Sequence, residues 1–192
     1  MTKQQVSAGG FTPDCFATFT RPADTTAYAA GDIVANSTTG ASVVPLRFPA
    51  LRTANGSGVI TGGRIIKSDD DLVNASFRLW IFSAQPFASA GYPADNAALT
   101  LTYAAMQNFV GMIDFTSFID AGSANVAVAN PTRNIVPFNA SRSQRMPTSD
   151  TITAGGVTYD GTQLLYGVLE ARAAYTPGNA EQFTVWLDVQ QD

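Results

Sequence analysis

Gly58-Val59-Ile60-Thr61-Gly62-Gly63-Arg64-Ile65-Ile66-Lys67-Ser68-Asp69-Asp70-Asp71-Leu72-Val73-Asn74-Ala75-Ser76-Phe77-Arg78-Leu79-Trp80-Ile81-Phe82-Ser83-Ala84 is the stretch that decides the fold. Two apolar runs, Val59 to Ile66 and Leu72 to Phe82, flank the aspartates Asp69, Asp70 and Asp71. The pattern predicts a β-hairpin with the acidic cluster at its tip. Successive side chains of a strand point to opposite sides of its sheet. Val73, Ala75, Phe77, Leu79 and Ile81 therefore share one face, and Asn74, Ser76, Arg78, Trp80 and Phe82 the other. Aromatic residues on the second face place this strand centrally, with Trp80 and Phe82 covered by a loop, a second sheet or a partner chain.

Upstream, Asn55-Gly56-Ser57-Gly58 is tight-turn sequence that opens the hairpin. Before it come a first strand within Phe11 to Thr20, irregular at Pro13, a short strand Ile33 to Ala35, and a strand Val43 to Phe48 that Pro45 assigns to a sheet edge. Arg21-Pro22-Ala23-Asp24 is turn chemistry between the first two. Met1 to Gly10 has no periodicity and ends in a Gly-Gly pair, which predicts a flexible N-terminal arm followed by a single domain over residues 11–192.

Downstream, Ser83 to Asp95 reads as an ordered loop rich in proline, alanine and glycine. Asp95 to Met106 fits a helical face capped by Asp95 and fits a strand equally well; the reading adopted is a short helical turn before a strand from Phe109 to Phe115. Short strands follow around Val126 and Val128 and from Ile135 to Phe138, and Ser141 to Asp150 is basic and unpatterned. Thr151 to Thr158 reads as one strand. Gln163 to Tyr175 and the clean alternation Phe183, Val185, Leu187, Val189 read as a second hairpin joined at Thr176-Pro177-Gly178-Asn179. About eight to ten strands with few helices predict an all-β, antiparallel β-sandwich, with the jelly roll as its eight-stranded version.

Composition fits that class. The chain has 192 residues, 45% hydrophobic and 14% charged, against about 25% charged in an average soluble domain. A chain of this length buries roughly 70% of its unfolded surface and needs no metal or disulfide staple. A net charge of −4 with only Lys3 and Lys67 as lysines argues against wrapping a nucleic-acid backbone. The polar start has no apolar signal core, and the longest uncharged run, Asn96 to Ile113, is too polar in its middle for a membrane span. The expectation is a soluble protein made in a cytosol, with no nucleic-acid or membrane partner.

Catalytic residue types are scarce. Histidine is absent, which removes the usual general base, the common nucleophile pairs and most zinc and iron sites. The single cysteine, Cys15, lies in an apolar strand and reads as core. Asp69, Asp70 and Asp71 lack the spacing of a calcium loop and read as a solvated tip, with a cation site as the alternative. Glu170 beside Arg172 reads as an ion pair more readily than as half of a glycosidase dyad with Glu181. Residues 56–63 are glycine-rich but lack the lysine and the following helix of a phosphate loop. The sequons at Asn36, Asn55, Asn74 and Asn139 are chance in a chain without a secretory signal. Neither a catalytic residue nor a cofactor or metal ligand set is therefore expected, and the chain is read as no enzyme.

What remains are aromatic and basic groups suited to protein contact. Trp80 and Phe82 lie on the second face of the central strand, Trp186 on the polar face of the last, and Phe11 at the first strand. Arg142 and Arg145, with Arg133, cluster in a loop where they pair with acidic groups of a partner or stay solvated. Desolvated aromatics anchor interfaces; the competing reading is that the tryptophans cap an end of the core. Phe11, Trp80, Phe82, Arg142, Arg145 and Trp186 are the candidate partner interface.

Several phrases carry a resemblance: Thr20-Arg21-Pro22-Ala23-Asp24-Thr25-Thr26-Ala27-Tyr28-Ala29-Ala30-Gly31-Asp32, Gly56-Ser57-Gly58-Val59-Ile60-Thr61-Gly62, Asn74-Ala75-Ser76-Phe77-Arg78-Leu79-Trp80 and Ala94-Asp95-Asn96-Ala97-Ala98. The chain resembles, over roughly its first 115 residues, the capsid cement (decoration) proteins of tailed bacteriophages, which have a jelly-roll-like sandwich. The resemblance implies a structural virion protein on the capsid exterior, made in the host cytoplasm, whose partners are the major capsid protein and itself as a homo-oligomer such as a trimer. It implies no cofactor and no residue-level site. The alternative from another class is a carbohydrate- or receptor-binding module with Trp80, Trp186 or Tyr92 as a stacking platform.

Overall fold

The computed structural model of the chain describes residues 15–54, 56–71, 73–87, 91–129, 135–139 and 150–191. In chain order the strands are β1 (Phe16–Thr20), β2 (Ile33–Val34), β3 (Leu46–Pro49), β4 (Ser57–Lys67), β5 (Phe77–Phe82), β6 (Phe109–Phe115) and β7 (Ile119–Asp120). They continue as β8 (Asn125–Ala129), β9 (Ile135–Asn139), β10 (Thr151–Ala154), β11 (Val157–Asp160), β12 (Leu164–Ala171) and β13 (Gln182–Gln191). A short α-helix, α1 (Tyr103–Met106), starts where the Thr102 hydroxyl accepts the Ala105 N–H.

Two antiparallel sheets face each other. The first runs β1-β13-β4-β8-β7 with β9 also on β4; the second runs β2-β12-β5-β6 with β3 also on β12. The expected all-β sandwich is what the chain forms. Between the sheets, Phe77, Leu79, Ile81, Ile113, Phe115 and Leu169 of the second meet Ile60, Ile65, Phe183, Val185 and Leu187 of the first in one buried cluster. Ile60 and Ile65 both point inward although five positions apart, because the β4–β13 register shifts at Asp188/Val189 and restores the inward parity beyond the bulge.

The central strand expected from the sequence is β5, hydrogen-bonded to β12 on one side and β6 on the other. Its partner is not β4. The two apolar runs lie in opposite sheets, and residues 68–71 and 73–76 belong to an arch between them. In that arch the Asp69 and Asp71 carboxylates accept the N–H groups two residues on, at 2.7 and 2.8 Å, and Asn74 takes φ 58°. These successive Asx turns swing the chain across the sandwich instead of back along β4, leaving Val73 68% exposed outside the strand. The second expected hairpin fails in the same way: β12 belongs to the second sheet and β13 to the first. Burial explains both. Each run is apolar enough to face the other across the core, and sequence alternation gives the face of a strand but not its neighbour.

A hairpin does occur where one strand was expected. β10 and β11 pair around Gly155-Gly156, both at positive φ (57° and 79°), as a tight two-residue turn requires. The Phe109–Phe115 strand, the preceding helical turn and the strands around Val126 and Ile135 appear as expected. The N-terminal arm lies outside the described residues.

Candidate functional site

On the outer face of the first sheet, register aligns side chains into rows. Phe16 opposes Trp186, Trp186 opposes Arg64, and Arg64 opposes Val128, so one row crosses four strands. The next row is Thr18, Thr184, Ile66, Val126 and Ile119. Phe16, Val128 and Ile119 are 38%, 67% and 65% exposed. Within the rows Phe16 packs on the Trp186 ring at 5.8 Å and the Arg64 guanidinium lies 4.5 Å from its centroid, a cation–π contact. The Thr18 and Thr184 hydroxyls are 3.0 Å apart. The result is a broad, mostly uncharged face with apolar groups at both ends.

Trp80 sits on the outer face of the other sheet, so the two tryptophans are not brought together. That face is largely roofed: Phe82, Tyr166, Val168, Leu164 and Ile33 pack with Phe87 and with Tyr159 of the β10–β11 hairpin. Phe82 has no exposed surface; as the chain stands it is a core residue and offers nothing to a partner. Half-buried Trp80 leans on Phe109 at 5.7 Å and donates its indole N–H to Glu170 at 2.6 Å, and Glu170 also pairs with Arg172 at 2.8 Å. The loop and hairpin roof correspond to the expected cover over the second face of β5, and to the reading in which Trp80 caps the core. Phe11, Arg142 and Arg145 lie outside the described residues, as does Arg133.

The least anticipated feature is a buried polar end to the sandwich. Asp95, expected as a helix cap, instead accepts Arg21 Nη2 at 3.0 Å, the Tyr28 hydroxyl at 2.7 Å and the Ala35 N–H at 2.7 Å. Arg21 Nε also bonds the Tyr28 oxygen. Tyr28 stacks on Tyr175 at 6.4 Å, and the Tyr175 hydroxyl reaches both oxygens of Glu181, at 2.8 and 2.7 Å. Glu181 lies 3.3 Å from Lys67 Nζ, and both side chains are sealed from solvent. The Asp69 carbonyl oxygen receives Lys67 Nζ at 2.8 Å and Asn125 Nδ2 at 2.7 Å. Burial pushes the Glu181 carboxyl above its usual range and raises the tyrosine hydroxyls of Tyr28 and Tyr175.

Parity was the signal for this end. Lys67 continues the inward face of Gly63 and Ile65, and Glu181 that of Phe183 and Val185. A charged residue on the core face of a strand announces a buried pair.

Elsewhere the chemistry is sparse. Among the described residues no group of three His, Cys, Asp or Glu side chains could hold a metal ion. Cys15 is buried, and desolvation followed by the charge of Asp188 pushes its thiol far above the reactive range. A groove of ≈ 380 Å³ between β1 and β3 is lined by Thr18, Phe19, Thr20, Asn36, Val44 and Arg47 among others. Arg47, its one charged residue among the described residues, is engaged with Asp150 at 2.7 Å. Among the described residues no helix is long and apolar enough to cross a membrane. No family model and no curated protein matches the chain.

Proposed function

We propose that the chain is a structural protein of a tailed-bacteriophage virion, a capsid cement protein that binds as a homo-oligomer across joints between major capsid subunits on the shell exterior. The observation that carries this reading is the pair of exposed cross-strand rows on the first sheet, Phe16-Trp186-Arg64-Val128 and Thr18-Thr184-Ile66-Val126-Ile119. Such a face loses little by desolvation and presents an aromatic–arginine pair of the kind enriched at interface centres. A contact of this type buries on the order of 1,000 Å² or more, and an oligomer engaging several sites at once multiplies modest affinities.

A jelly-roll kinship belongs to the same proposal. It is supported by the way β4 and β5, joined by one arch, run beside β13 and β12, joined by the other. The sequence resemblance and the low content of charged residues support the virion role. The carbohydrate-binding alternative has weaker support: Arg64 already occupies one face of Trp186, and the Tyr92 hydroxyl is buried, without a partner among the described residues.

Co-sedimentation tests the proposal. The purified chain is mixed with mature and with unexpanded shells of the phage that carries the gene. Pelleting with mature shells and much less with unexpanded ones is the expected result. Failure to pellet with either, or binding of the isolated chain to glycans instead, overturns it.

A further inference from the structure

The geometry points to an intramolecular amide cross-link between Lys67 Nζ and Asn125 Cγ, made by the chain itself with Glu181 as proton carrier and ammonia as the leaving group. Lys67 and Asn125 are direct partners in the β4–β8 ladder. Facing residues of an antiparallel pair carry their Cβ atoms about 4.5–5.5 Å apart on the same side of the sheet. Both side chains turn inward, and neither residue has exposed surface. Their nitrogens converge on a single atom, the Asp69 carbonyl oxygen, at 2.8 and 2.7 Å. That shared acceptor fixes which way the Asn125 amide points, since its oxygen would repel the Asp69 carbonyl. The orientation leaves Asn125 Oδ1 buried with no donor among the described residues.

Glu181 completes the set. Its Oε1 is 3.3 Å from Lys67 Nζ, close enough to take a proton, and the Tyr175 hydroxyl pins both of its oxygens. Desolvation drives its carboxyl towards the neutral form, and the Tyr175 ring lies 5.3 Å from Nζ. A buried charge pair of this kind recovers little of its desolvation cost. An orphaned amide oxygen beside it adds a further penalty. Joining the amine to the amide removes both charges, and water is excluded from the site that would otherwise reverse the bond.

The steps balance without an added reagent. Lys67 gives one proton to Glu181, and the neutral amine attacks Asn125 Cγ as the carbonyl π pair moves onto Oδ1. Glu181 passes its proton to that oxygen, then carries a second proton from Nζ to Nδ2. The carbonyl re-forms as the Cγ–Nδ2 bond breaks, ammonia departs, and the Oδ1 proton returns to Glu181. Gathering the amine and the amide on one carbonyl oxygen in a buried site supplies the proximity this reaction lacks in solution. The reaction happens once per chain and is a maturation step, separate from any binding role.

Mass spectrometry of the denatured full-length chain tests it. The intact mass is expected to fall below that of the sequence by one ammonia, with allowance for removal of Met1, and digestion is expected to release a branched peptide joining the segments that contain Lys67 and Asn125. Lys67→Arg and Asn125→Ala are expected to restore the full mass, and Glu181→Gln to leave the chains uncross-linked. A folded wild-type chain at full sequence mass overturns the inference. So does an ammonia deficit that survives in Lys67→Arg, since that is a cyclic imide at Asn125. If the variants do not fold, the wild-type mass and its branched peptide still decide.

Discussion

Replacing Asp95 with alanine removes the carboxylate that ties the Arg21 segment, β2 and the loop before α1 together. The carboxylate accepts three hydrogen bonds, from Tyr28, Ala35 and Arg21, and its side chain is 1% exposed. Truncation strands the Arg21 guanidinium, itself without exposed surface, with Asp24 at 3.4 Å as its remaining carboxylate. Breaking a buried pair by removing one partner costs about 3–5 kcal/mol. With a urea slope of about 2–3 kcal/mol/M for a domain of this size, the unfolding midpoint is expected to fall by roughly 1–2.5 M. Asp95→Asn keeps the Oδ1 acceptor for Tyr28 and the Ala35 N–H but turns an amide NH2 towards Arg21 Nη2, losing both the charge and that hydrogen bond, so its expected cost is about 1.5–3 kcal/mol. Combining Asp95→Ala with Arg21→Met is expected to cost clearly less than the sum of the two single changes, because no charge is then left unpaired. Urea unfolding followed by tryptophan fluorescence measures all of these. An Asp95→Ala unfolding free energy within about 0.5 kcal/mol of wild type, or strict additivity in the double variant, would refute the reasoning.

Strands were legible in this sequence and their partners were not. Phe77, Leu79 and Ile81 announced an inward face, and β5 has it, but nothing in alternation says whether the preceding run lies beside that face or opposite it. The acidic triplet looked like a hairpin tip because Asx-rich sequence marks any change of direction; whether the chain returns or crosses is set by which apolar faces need burial. Gly155-Gly156 is the converse case, a hairpin turn inside a stretch whose composition reads as one strand, with the paired glycines as its plainest local mark. At the candidate face, the outward parity of Trp186 was visible at once. The row it belongs to was not, since Phe16, Arg64 and Val128 are joined to it only by register between distant strands. Phe82 is buried because the outer face it shares with Leu164, Tyr166 and Val168 of the neighbouring β12 is itself apolar and is covered by Phe87 and Tyr159, a cover that alternation does not reveal. Lys67 and Glu181 are readable as charges on core faces, but a single inward charge is hidden by the apolar majority of its strand.

Two further outcomes follow from the packing. A Cβ on Gly167, midway along β12, would lie 2.7 Å from Phe48 and 3.0 Å from Leu79, so Gly167→Ala is expected to destabilise by about 1–3 kcal/mol in urea unfolding. Removing the Tyr166 hydroxyl takes a 2.6 Å hydrogen bond from Asp150. Burial pushes the Asp150 carboxyl up, but Tyr166, Gln85 and Arg47 together hold it below its usual range. A carboxylate depressed in the folded state contributes stability above its unfolded pKa of about 3.9 and loses it as pH falls through the folded value. Tyr166→Phe is therefore expected to cost about 1 kcal/mol at neutral pH, with the gap to wild type closing in acid, as unfolding curves across that pH range will report.

The most direct test of the proposed role places charge on the outer face of the first sheet. Val128→Asp and Ile119→Asp alter side chains that are 67% and 65% exposed, so both variants should unfold at the wild-type urea midpoint. If this face clamps the shell, each should reduce co-sedimentation with mature capsids by about tenfold or more, which corresponds to roughly 1.4 kcal/mol of contact. Undiminished pelleting of both folded variants would contradict it.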